Sequence, residues 1–93
     1  MYVVAQHTIL DREKALEAGR RLFTPPLGIT LHQFFPNAEG SKATYLWEAN
    51  SVETVRNLVD GALGSSSRNE FYAVDEQMAR GLQRSTAGAA AAQ

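Results

Sequence analysis

The apolar residues of this chain switch between the two-residue period of a strand and the longer period of a helix. The order that results, strand, helix, strand, strand, helix, strand, leaves few ways to fold. Residues 2–9, Tyr-Val-Val-Ala-Gln-His-Thr-Ile, are rich in β-branched and aromatic types and too short for a helix before Asp11, so they predict the first strand. Asp11 has the acceptor side chain of an N-cap, and Ala15, Leu16, Gly19, Leu22 and Phe23 follow at helical spacing, predicting a helix over 11–23. Thr24-Pro25-Pro26 ends it, because proline restricts the residue before it and removes amide donors.

A second strand is predicted over 28–35, with Ile29, Leu31 and Phe35 as its core phase and Thr30, His32 and Phe34 on the other. The turn residues 36–41 join it in a hairpin to a third strand over 42–49, in which Ala43, Tyr45, Trp47 and Ala49 alternate with Thr44, Leu46 and Glu48. Asn50-Ser51-Val52-Glu53 reads as a capping box, so a second helix begins there. Its stripe is Val52, Val55, Leu58, Val59, Ala62 and Leu63, and Gly64 sits at the C-cap position. Ser65–Asn69 reads as loop, 70–74 as the fourth strand, and Asp75 as the cap of a short closing helix carrying Met78 and Leu82.

Ninety-three residues make one domain, placed at 1–82, followed by a low-complexity C-terminal tail at 83–93. Lysine and arginine number 9 against 10 acidic residues, which offers no cationic footprint for a nucleic acid. Cysteine is absent, excluding disulfides and thiolate chemistry and leaving imidazole and carboxylate as the protein metal ligands. No stretch approaches the roughly 18 apolar residues of a membrane span, and the first strand begins at Tyr2 without a signal-like segment, so the expected location is cytoplasmic and no membrane partner is expected.

Two strand-helix-strand units whose middle strands form a hairpin give an α+β fold: a four-stranded antiparallel sheet with two helices on one face, the ferredoxin-like βαββαβ arrangement. Neither phase of the strands is cleanly polar, so the uncovered face should be apolar and a second copy is the expected cover. Face-to-face pairing would make a homodimeric α/β barrel with room for a small molecule between the sheets.

The segments Tyr2–His7, Leu31–Phe34, Leu46–Arg56 and Asn69–Asp75 resemble small, mostly uncharacterised bacterial proteins of the dimeric α/β-barrel superfamily. The layout is similar to a group with a nickel-binding member, which shares a histidine on the first strand, a histidine on the second and a Glu-Ala-x-Ser-like exit from the third. More distantly it resembles the antibiotic-biosynthesis monooxygenase and muconolactone-isomerase groups. There an aromatic residue follows the glutamate, whereas here Trp47 precedes Glu48.

His7, His32 and Glu48 lie on strands one, two and three, with strand three expected between the other two, and on one face they would converge as a metal site for nickel, zinc or iron, or as a proton relay. His7 shares its phase with Val3, Ala5 and Ile9, and that phase can equally pack beneath the helices. Tyr45 and Trp47 are further ligand-binding candidates, suited to a flat aromatic molecule, or else core residues. Ser51 and the Ser65–Ser67 run lack the companions of a nucleophile or phosphate loop and read as structural. Three functions follow as expectations: binding of a small ligand or transition metal, a cofactor-independent monooxygenase- or isomerase-like enzyme acting on a small aromatic or dienol compound, and a structural dimer without a ligand site.

Overall fold

The protein is described by a computed structural model covering residues 1–82; the tail expected at 83–93 lies outside the described residues. The elements are β1 (Tyr2–Ile9), α1 (Arg12–Gly19) continued by a 3-10 segment (Arg20–Phe23), β2 (Thr30–Pro36), β3 (Lys42–Glu48), α2 (Val52–Leu63), a 3-10 segment (Gly64–Ser66) and β4 (Ser67–Ala73). Both helices start where a side chain replaces a missing intrahelical acceptor. The Asp11 carboxylate accepts from the Lys14 amide at 3.2 Å and Ser51 Oγ accepts from the Thr54 amide at 3.1 Å. Glu53 does not reach back as a capping box requires; it pairs with Arg56 one turn on. Gly64 leaves α2 at φ 54°, in the positive region where a side chain would be strained.

The strands form one antiparallel sheet in the order β2-β3-β1-β4, with β3 and β1 central. The fold is α+β, four antiparallel strands and two helices. Alternate residues of the strands meet the helices, and Val3, Ala5, Ala43, Tyr45 and Trp47 join Leu22, Val55, Val59 and Leu63 in one core. Trp47, Leu22, Val3, Val55 and Val59 are fully enclosed, each contributing about 1.5–3 kcal/mol through removal of apolar surface from water.

Strand β2 departs from the expected phase. Leu31 pairs with Trp47 and Gln33 with Leu46, so a bulge at His32 sets two residues against one. Beyond it the alternation inverts: Phe34 turns inward to Phe23 and Tyr45, and Phe35, expected in the core, is 60% exposed. The Ser65–Asn69 loop is also shorter than expected. Ser67, Arg68 and Asn69 belong to β4, where they pair with Ile9, Thr8 and His7. Edge pairing with β1 supplies their backbone hydrogen bonds although their own strand preference is low. The closing helix after Asp75 is only a turn, in which Asp75 Oδ1 accepts from the Gln77 and Met78 amides before Gly81 redirects the chain.

The sheet face away from the helices carries Tyr2, Val4, His32, Phe35, Leu46, Glu48 and Tyr72. Residues 75–82 run beside part of it, with Gln33 Nε2 donating to the Gly81 carbonyl at 3.5 Å. Phe35 and Tyr72 remain more than half exposed there. Among the described residues no helix is long and apolar enough to cross a membrane.

Candidate functional site

The site is a chamber of about 330 Å³ between the sheet and α1. Its floor is His7 of β1 with Ala43 and Tyr45 of β3, its wall is Phe34 of β2, and its roof is Ala15 and Gly19 of α1. Leu16 and Phe23 line it and are also exposed, so it opens at the surface, with Arg12 on the lining. Ala15, Gly19 and Ala43 on its lining have side chains too short to fill the space between helix and sheet. That volume sits at the lower end of the range for small-molecule sites, which are mostly apolar with a few placed polar groups.

His7 is the main polar group here. Odd-numbered residues of β1 face the helices, so His7 lies under them with only 3% of its surface exposed. Its register partner on β4 is Asn69, and the His7 Nδ1 to Asn69 Oδ1 distance is 2.7 Å. Asn69 Nδ2 donates to Asp60 Oδ1 on α2 at 2.8 Å, and Ser67 Oγ donates to Asn69 Oδ1 at 2.6 Å. A carboxylate only accepts, so the amide of Asn69 is fixed with nitrogen toward Asp60 and oxygen toward His7. His7 therefore donates from Nδ1. Its neutral form leaves Nε2 as a bare acceptor, buried and without a hydrogen-bond partner among the described residues.

Burial lowers the His7 pKa below its ordinary value, opposed by the Asn69 hydrogen bond and by the Asp60 charge. Burial raises that of Tyr45, which remains a phenol. The His7 and Tyr45 rings meet edge to face with centroids 4.7 Å apart, and the Tyr45 hydroxyl lies under Gly19, 3.9 Å from where a Cβ would stand. Burial thus favours the neutral imidazole of His7 and the protonated hydroxyl of Tyr45 side by side beneath α1.

The other candidates lie elsewhere. His32 Nε2 donates to Glu48 Oε1 at 2.8 Å on the opposite sheet face, with the Tyr2 ring 5.5 Å from that of His32. The bulge re-aims His32 toward Glu48, whose register partner on β2 is Thr30. The structure brings these two together and separates both from His7 by the thickness of the sheet. Trp47 stacks on Tyr45 at 5.7 Å, wholly inside the core, with its indole N–H unpartnered among the described residues. Among those residues no three histidine or carboxylate side chains form a group that could hold a metal. His32 and Glu48 instead satisfy each other, so the donor set does not fit a nickel, zinc or iron centre within one protomer.

Asn69 and Asp60 were not legible as site residues, because Asn69 reads as loop and Asp60 as the solvent face of a helix. A strand continuing back to Ser67 would have exposed the pairing with His7. Comparison with known proteins finds no matching family model, no similar curated protein and no similar solved structure.

Proposed function

We propose that this protein binds a small, mainly apolar molecule in the chamber between α1 and the sheet, packed against the rings of Phe34 and Tyr45 with the Tyr45 hydroxyl orienting it. The observation that carries this reading is the space of about 330 Å³ left open between α1 and the sheet above Ala43 and Tyr45, lined mainly by apolar side chains. A small molecule fits this arrangement better than a metal ion, since His7 stands apart from the other candidate ligands.

The strand order β2-β3-β1-β4 supports a ferredoxin-like reading of the sheet, in which two copies pairing through Phe35 and Tyr72 would form the dimeric α/β barrel. The chamber lies within each protomer, so ligand binding does not require that pairing. A second reading, a cofactor-independent isomerase- or monooxygenase-like enzyme, is favoured by the Asp60–Asn69–His7 chain, which orients an imidazole as a general base does.

Amide NMR spectra with toluene and phenol added separately at millimolar concentration test the binding reading. Shifts at Ala15, Gly19 and Ala43 from either compound support it; no shift from both, or shifts confined to the Leu46 and Tyr72 face, overturn it. Sedimentation from micromolar to millimolar protein tests the pairing, and a 10 kDa particle throughout rejects it.

A further inference from the structure

Resting on that binding site, we infer that the molecule it accepts is a small monocarboxylate, its apolar body filling the chamber and its carboxylate meeting the guanidinium of Arg12 at the mouth. The first ground is charge. Among the described residues that line the chamber, Arg12 alone carries a formal charge, since burial holds His7 neutral. Arg12 is exposed, as are Leu16 and Phe23 on the same lining, so its charge stands where the chamber meets solvent. A cation at an otherwise uncharged opening draws anions toward it.

The second ground is that this guanidinium is placed and unclaimed. Its Nε, Cζ and Nη2 atoms lie 3.2, 3.4 and 3.5 Å from where a Cβ would stand on Gly40, so it rests on the turn between β2 and β3 in space that a side chain at 40 would contest. Arg12 thus reaches from the first turn of α1 to the hairpin. Among the described residues it has no ion-pair partner. The acidic side chains beside these contacts in sequence are otherwise engaged. Asp11 accepts from the Lys14 amide and stands 3.9 Å from its ammonium, and Glu39 accepts from Asn37 Nδ2 at 3.1 Å. Neither lines the chamber.

These features select among anions. A guanidinium presents a planar fork of N–H donors that matches the two oxygens of a carboxylate and balances its single charge. A phosphate monoester brings a charge of about −1.5 to −2, and the described lining has no second cation to meet the remainder. The rest of the lining is mostly apolar, Ile9, Ala15, Phe34 and Leu63 among it, so the rest of the molecule is uncharged and hydrophobic. A space of about 330 Å³ admits one ring or a short branched chain beside the carboxylate.

Phenylacetate, phenylacetamide and phenyl phosphate are the probes, sharing a ring and differing in charge. Titrations followed through the amides of Ala15, Gly19 and Ala43 at low salt should show phenylacetate binding about fivefold more tightly than phenylacetamide, the upper range for an exposed ion pair. Phenyl phosphate should bind no more tightly than phenylacetate. The preference should shrink toward unity in about 0.5 M salt, because an exposed pair is screened. In Arg12→Gln, phenylacetate and phenylacetamide should bind alike. If that variant does not fold, the Nε–H resonance of Arg12 in the unaltered protein decides: it should move with phenylacetate and stay with phenylacetamide. Equal affinity for these two, tighter binding of phenyl phosphate, or a preference that survives in Arg12→Gln overturns the inference while the chamber still stands as a binding site. Binding of toluene or phenol without phenylacetate does the same. No shift of the chamber amides from any of these compounds removes the binding site itself.

Discussion

Nδ1 of His7 and Oδ1 of Asn69 lie 2.7 Å apart across the β1–β4 ladder, and only one placement of protons satisfies both them and the Asp60 carboxylate beyond. The imidazole is held as a neutral donor at Nδ1, with Nε2 enclosed and without a hydrogen-bond partner among the described residues. This one contact ties the stability of the fold to the chemistry of the site, because charging His7 would require a cation among buried apolar groups.

The first prediction concerns pH. The folded pKa of His7 is lowered from its ordinary value of 6.5 by burial. Above that value His7 is neutral in both states and contributes no slope. As pH falls below it, the unfolded chain takes up a proton that the folded chain does not, so stability declines by at most about 1.4 kcal/mol per pH unit until the folded pKa is reached. Urea unfolding between pH 8 and 5 should show this decline, and His7→Gln, which keeps a donor for Asn69 but cannot titrate, should lack that part of it. Parallel curves for the two proteins would show that His7 is not buried in its neutral form.

Much of this fold can be read from the residues, and the reasons for the exceptions are local. The run Tyr2–Ile9 and the stripe Val55, Leu58, Val59 declare their elements by period alone, and Asp11 and Ser51 announce the helix starts. The bulge at His32 cannot be read this way, since the sequence on either side of it alternates in two phases and only pairing with β3 decides where the extra residue sits. The His32–Glu48 pair was legible from their positions on adjacent strands. The role of Asn69 was not, because Ser-Arg-Asn has turn composition and becomes strand through its neighbour β1. That hid the residue that orients His7, and with it the face on which His7 lies.

The second prediction concerns the opposite face. His32 and Glu48 are partly buried, with side-chain exposures of 12% and 34%, so their attraction is screened less than that of a free surface pair but is not that of a core ion pair. A double-mutant cycle of His32→Ala and Glu48→Gln, read by urea unfolding at pH 7, should give a coupling of about 0.5–1 kcal/mol. Each single variant should leave phenol binding in the chamber unchanged, because the sheet separates the pair from it. Loss of phenol binding in either would mean that the two faces act as one site.

The third prediction follows from the bulge. Phe34 packs between Phe23 and Tyr45, whereas its neighbour Phe35 stands on the open face. Phe34→Ala should therefore cost about 2–4 kcal/mol, through lost burial and a cavity, while Phe35→Ala at low micromolar protein should stay within about 0.5 kcal/mol. Thermal and urea unfolding of the two variants separate the cases. Equal losses would mean that β2 does not invert its phase at His32.

Gly19 offers the closest control over the chamber. It ends α1 with helical backbone angles, φ −63° and ψ −22°, so no special conformation requires glycine there. A Cβ would meet only the Tyr45 hydroxyl, at an ordinary 3.9 Å. Gly19→Ala should stabilise the protein by about 0.5–1 kcal/mol by restricting the unfolded chain, with the roof slightly lowered. Gly19→Leu should instead push a branched side chain into the space above Tyr45 and abolish phenol binding, with the circular dichroism of the fold retained. If Gly19→Leu folds and still binds phenol with unchanged affinity, the ligand does not occupy the space beneath α1, and the open sheet face becomes the place to look for it.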